Sequence, residues 1–174
     1  YNTSNEGQRK LYENVFEDIL RMREFLVDMR LDRNCYGNGL ASVLFPFRKF
    51  LICGSCKTQT PIDRANYSFH NYRFRLRCQK CHSETEAKAH DRYYASPHGI
   101  RLIRWYPRHI KIESTGIGGD HIYAYMIPRY LKNAILIGKP AVLAQTPQVF
   151  IDALRRNRPV VFRPDEIFHL KRPS

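Results

Sequence analysis

Cys53-Gly54-Ser55-Cys56 is followed, after 21 intervening residues, by Cys78-Gln79-Lys80-Cys81. A tetrahedral ion takes four soft ligands at about 2.3 Å, and two residues between paired cysteines let one tight turn aim both sulfurs at a common centre. The spacing therefore predicts a single structural Zn2+ held by Cys53, Cys56, Cys78 and Cys81, in a ribbon inserted at 53–83. Upstream of the second knuckle, Tyr72, Phe74 and Leu76 alternate with Arg73, Arg75 and Arg77. That period of two is the signature of a strand with one wet face. The aromatics are expected to be buried, and Arg73, Arg75 and Arg77 are the candidates for phosphate contact.

Other cysteine chemistries fit less of the pattern. Disulfides need an oxidising compartment, no signal-like apolar stretch is visible, and pairing would leave Cys35 over. Cys78-Gln79-Lys80-Cys81-His82 matches a c-type haem attachment, which leaves Cys53 and Cys56 without a role. A redox-active Cys53-Gly54-Ser55-Cys56 would need a helix after it, and the stretch through Thr58, Pro61 and Asp63 does not supply one. Four thiolates close the coordination shell, so no position remains for an activated water and the ion acts as a staple. His82, just past the last ligand, is expected to face solvent or sit beside the site.

A chain of 174 residues that is 43% hydrophobic suffices for one ordinary core and a small satellite. Residues 1–52 and 84–174 are expected to form the body that carries the insertion. Lysine and arginine number 29 against 16 acids, a surplus of +13 that attracts polyanions, although the cations are strewn along the chain. No run of 18 apolar residues exists, so no membrane span is expected. The opening Tyr1-Asn2-Thr3 and the closing Arg172-Pro173-Ser174 suggest a segment of something longer.

Leu11, Val15, Ile19, Met22, Leu26 and Met29 recur at helical spacing, predicting one long amphipathic helix from Asn5 to Arg33 that packs on the core. Gly37 and Gly39 end it. Strands are expected at 41–45, 49–52, 100–107, 109–113, 121–128, 159–162 and 167–171, with turns at Ser96-Pro97-His98-Gly99 and Gly116-Ile117-Gly118-Gly119-Asp120. Thr146-Pro147-Gln148 reads as the capped start of a helix through Arg156. His169, inside an apolar strand, reads as a structural histidine. The fold class is α+β: the long helix on a mostly antiparallel sheet, with the zinc-ribbon insertion.

The order of these pieces resembles a known family. Asn34-Cys35-Tyr36-Gly37-Asn38-Gly39-Leu40-Ala41-Ser42-Val43 follows a helix. Then come Trp105-Tyr106-Pro107-Arg108-His109-Ile110-Lys111-Ile112, His121-Ile122-Tyr123-Ala124-Tyr125 and Phe162-Arg163-Pro164-Asp165-Glu166-Ile167-Phe168-His169-Leu170-Lys171. Together they are similar to the portal proteins of tailed bacteriophages, along most of the chain outside the ribbon. The resemblance implies the wing-side body of a portal subunit, one of a ring of about a dozen copies at a capsid vertex. Through such a ring double-stranded DNA is packaged and ejected, and terminase, capsid and head–tail connector proteins dock on it. It implies a virion component assembled in the host cytoplasm, with no catalytic residues.

Two alternatives remain open from the residues alone. One is a zinc-ribbon nucleic-acid-binding module using Arg73, Arg75 and Arg77. The other is a histidine-metal nuclease built on His90-Asp91, His98 and His109, for which the chain after His98 lacks the required helix.

Overall fold

The computed structural model describes residues 5–94, 96, 99–114 and 121–171. The fold is α+β with antiparallel sheets, divided into two compact units: Tyr1–Pro46, Tyr94–Ala124 and Val161–Ser174 in one, and Phe47–Tyr93 with Tyr125–Val160 in the other. The four cysteines all belong to the second. The strands that carry them reach back to Phe47 and on to Tyr93, beyond the 53–83 insertion the spacing suggested. Two of the expected turns, at 97–98 and 116–120, lie outside the described residues.

In the first unit the single long helix is not formed. Helix α1 (Glu6–Glu13) passes into a π-helical segment, Asn14–Ile19, and the chain then breaks at Arg21, which sits at φ 48°. A wider π turn, closed by the Leu20 N–H on the Val15 carbonyl, rotates the apolar stripe out of line. Leu11 and Leu26 are consequently exposed, and of the stripe only Met29 is fully buried. Helix α2 (Met22–Tyr36) restarts the chain and stops at Gly37, whose φ of 77° is the left-handed geometry of a helix end.

Strand β1 (Asn38–Leu44) then runs antiparallel between β7 (Arg101–Trp105) and β11 (Phe168–Lys171), and α2 packs on this sheet. Asp28 and Asp32 of the helix hold Arg104 of β7 at 2.8 and 3.4 Å. A second small sheet has the order β10 (Val160–Phe162), β9 (His121–Tyr125), β8 (Ile110–Ser114). The expected continuation of β7 into β8 is interrupted by a 3-10 turn at Pro107–His109, and the two strands enter different sheets.

His169 is the structural residue the sequence suggested. Its Nε2 donates to Asn38 Oδ1 at 2.7 Å and its Nδ1 accepts from the Tyr123 hydroxyl at 3.1 Å. Burial, with the charge of Lys171 nearby, holds its pKa below the ordinary histidine value, as a neutral ring that both accepts and donates requires.

The second unit is built on a five-stranded sheet of order β3 (Gln59–Pro61), β2 (Phe47–Ile52), β6 (Glu84–Tyr93), β5 (Arg73–Arg77), β4 (Asn66–His70). The stretch from Tyr67 to Arg77 is a hairpin. Asn71 and Tyr72, at φ 50° and 61°, make the two-residue turn whose twist suits antiparallel neighbours. One sheet face buries Leu51, Phe74, Leu76 and Ala87. Helices α3 (Arg129–Ile137) and α4 (Pro140–Gln145), which were not among the expected elements, and α5 (Gln148–Arg155) add Ile135, Leu143, Ile151 and Leu154 to the same unit's core.

The start of α5 differs from the capping expected of it. Thr146 Oγ1 donates back to the Val142 carbonyl at 2.7 Å and closes α4. The orphan N–H of Gln148 is taken instead by the Asp91 carboxylate, from the middle of the sheet. Asp91 also pairs with Lys49, directly opposite it on β2. Both side chains lie beneath the sheet, at 0% and 5% exposure for Lys49 and Asp91, and Lys49 donates further to Gln148 Oε1 at 3.2 Å. Burial pushes the Lys49 pKa down while the Asp91 carboxylate opposes the shift.

Candidate metal centre

Each knuckle is the turn of a hairpin. The first joins β2 to β3, with Ile52 opposite Gln59, and the second joins β5 to β6, with Arg77 opposite Glu84. Their backbones repeat one another. Cys53 N–H donates to the Thr58 carbonyl at 3.0 Å and Lys57 N–H to the Cys53 carbonyl at 3.2 Å. In the second knuckle Cys78 donates to Ser83 and His82 to Cys78, both at 2.9 Å. In each, the residue after the second cysteine is left-handed, Lys57 at φ 60° and His82 at φ 56°. His82 is exposed, as expected.

Pairing of β2 with β6, which puts Ile52 opposite Lys88, brings the two turns together. The four sulfurs lie within 4.8 Å of one another, with Cys53–Cys81 at 3.8 Å and Cys56–Cys78 at 3.5 Å. Bonds of about 2.3 Å to a tetrahedral ion imply sulfur–sulfur edges of about 3.8 Å, so this donor set fits a four-thiolate ion. The same separations are far longer than a disulfide bond of about 2.05 Å, and all five cysteines are free thiols. Cys35 is exposed and stands outside the cluster.

The surroundings of Cys53 and Cys56 favour negative sulfur. The N–H of Cys56, assisted by Ser55 and by the Thr85 hydroxyl, pulls the Cys53 pKa down to about 5 against the effect of burial. The Thr58 hydroxyl, 3.2 Å from the Cys56 sulfur, together with the Thr58 N–H, lowers that thiol as well. At Cys78 the N–H groups of Cys81 and Lys80 act in the same sense but are outweighed by burial and the adjacent thiols, and its pKa rises. Four such sulfurs cannot all be ionised side by side without a cation, and a divalent ion held there would supply one. Ser83 Oγ, 2.9 Å from the Cys81 sulfur and 3.3 Å from Ser55 Oγ, links the knuckles. These hydroxyls escaped the sequence reading, although their places beside the cysteines were the available signal.

Gly54 lies against β6. A Cβ there would stand 2.9 Å from the Glu86 carbonyl oxygen and 3.3 Å from Thr85 Cβ, and the Gly54 N–H donates to Thr85 Oγ1 at 3.1 Å. Gly54→Ala must lift the first knuckle off the strand. Competition with a chromophoric chelator should show metal affinity lowered about 10-fold or more, the range seen when groups supporting metal ligands are lost. An unchanged affinity would contradict this packing.

The alternation read in β5 is realised: Arg73, Arg75 and Arg77 are exposed while Phe74 and Leu76 are buried. Phe74 packs with Phe69 and Tyr67, ring centroids at 4.7 and 5.6 Å, whereas Tyr72 belongs to the hairpin turn. Arg73 pairs with Glu86 at 3.1 Å.

Among the described residues the nuclease candidates belong to no group of three or more that could hold an ion. His90 stands exposed on β6, its neighbour Asp91 is engaged with Lys49 and Gln148 on the opposite face, and His109 stacks on Tyr106 in the first unit. His98 lies outside the described residues. Among the described residues the cysteines are the one group of three or more His, Cys, Asp or Glu that could hold an ion.

No family model matches the chain, and searches of curated proteins and of solved structures give no match. Among the described residues no helix is long and apolar enough to cross a membrane.

Proposed function

We propose that Cys53, Cys56, Cys78 and Cys81 hold one structural Zn2+, and that the chain is a portal-like structural subunit of a virion. Bound zinc would supply cross-linking and no chemistry, because four thiolates leave no open position. The chain's own residues do the rest: the hairpins present the sulfurs, the hydroxyls of Thr58, Ser83 and Thr85 surround them, and β2–β6 pairing fixes their separation.

One observation carries the portal reading. The four stretches that resemble the family are spread from residue 34 to residue 171, yet their side chains meet. Tyr36 and Tyr106 hydroxyls are 2.9 Å apart, Trp105 Nε1 donates to Ser42 at 2.8 Å, and the Trp105 and Phe162 rings are 5.2 Å apart. His169 bonds both Asn38 and Tyr123. Stretches that resemble a family in order and also support one another in space behave as parts of one framework. In this reading the body joins a homo-oligomeric ring at a capsid vertex, conducts double-stranded DNA, and offers surfaces to terminase, capsid and head–tail connector proteins. Negative-stain microscopy of the full-length protein tests it. Rings with a central hole are expected, and a uniformly monomeric particle under assembly conditions would overturn it.

A further inference from the structure

The face of the five-stranded sheet turned away from its core carries six cations, with Glu86 directly across from Arg75 and Glu84 directly across from Arg77. Strand alternation and register put Arg73, Arg75 and Arg77 of β5, Lys88 and Arg92 of β6 and Arg48 of β2 on this side. Arg48 is engaged by Asp63 and Arg73 by Glu86, and Arg92 lies 4.8 Å over the Phe50 ring. Arg75, Arg77 and Lys88 have no carboxylate within ion-pair distance among the described residues. An open groove of about 740 Å³ is lined by Arg73, Arg75 and Arg155 together with Glu84 and Glu86.

We propose that this strand face is a docking surface for the phosphate backbone of duplex DNA, with Arg75, Arg77 and Lys88 as its phosphate-binding residues. Guanidinium forks match phosphate oxygens in pairs, and unpartnered exposed cations on paired strands need little rearrangement to meet them. Single-stranded binders add aromatic platforms on which bases stack. Here Phe69, Phe74 and Tyr67 turn to the other face, against one another, and Phe50 is covered by Arg92. The surface therefore suits a backbone and not splayed bases. The inference needs the sheet to keep its pairing, and it stands whether or not the chain forms rings.

Fluorescence anisotropy of metal-loaded, full-length protein with a labelled mixed-sequence duplex tests it. Three neutralised phosphates give a slope of log K against log salt of about −2.7, or about a 40-fold loss of affinity between about 50 and 200 mM salt. The triple variant Arg75→Ala, Arg77→Ala, Lys88→Ala, checked for unchanged metal content, should lose that slope. A control triple in the other unit, Arg101→Ala, Arg108→Ala, Lys111→Ala, should keep it. The proposal is overturned by an unchanged slope in the first triple, by no duplex binding at about 50 mM salt, or by tighter binding of a single strand or of polyglutamate than of the duplex.

Discussion

Cys78→Ser is expected to unfold the five-stranded sheet under conditions where the unaltered chain is folded, and chelation of the unaltered chain is expected to reproduce the effect. Cys78 is 2% exposed and follows directly on β5, where the second knuckle begins. A serine oxygen there leaves three soft ligands for a thiophilic ion, and metal binding and folding are linked when the site does not exist in the unfolded chain. The knuckle ends of both hairpins then lose the metal cross-link, and the weaker Ser83–Ser55 and Gly54–Thr85 hydrogen bonds remain between the turns among the described residues. Losses of this origin belong to the class above about 4 kcal/mol. In a chain of this size that corresponds to about 8–16 °C in Tm. Thermal denaturation followed by circular dichroism, with metal content measured on the same samples, gives both quantities. Cys35→Ser, outside the cluster, should leave them unchanged. A Cys78→Ser protein with the parent's Tm would mean that the sheet holds without the staple.

Asp91→Ala should be the most damaging single change away from the cysteines. The substitution leaves the Lys49 ammonium at 0% exposure without its ion-pair partner, with Asp152 acting on it only at longer range, and takes the acceptor from the first N–H of α5. Removing one partner of a buried pair costs about 3–5 kcal/mol, much of it the desolvation of the charge left behind. Lys49→Met in the Asp91→Ala background removes that charge and should recover most of the loss. Urea denaturation of the two variants separates the terms. A loss below about 1 kcal/mol in Asp91→Ala would show that Lys49 finds water, and that the pair is not a buried strut.

What could be read from the sequence, and what could not, divides along the range of the interactions. The knuckles and the strand from Arg73 to Arg77 were legible because their signals are local: two residues between cysteines, and a period of two. The preceding β4 was not, since its turn uses Asn71-Tyr72 where a glycine would have advertised the positive φ. The break at Arg21 had no glycine or proline to mark it, and a π turn leaves no trace in composition. Pro128, Gly138 and Pro140 do punctuate α3 and α4, so those helices had signals that went unused. Asp91 lay beyond reach of any local reading. It looks like its polar neighbours in β6, and its partners Lys49 and Gln148 are 42 and 57 residues away. The cation-bearing face has the same origin: Lys88 and Arg92 join Arg75 and Arg77 only through the register of β6 with its neighbours.

One ion joining the two hairpin turns through four sulfurs is what would hold the five-stranded sheet's knuckle ends together. Native mass spectrometry of the protein, purified without added metal, measures this directly. The expected mass is that of one chain carrying one zinc ion with its four cysteine thiols deprotonated, while Cys35 remains free to alkylation. A metal-free mass, or cysteines joined to one another as disulfides, would contradict it.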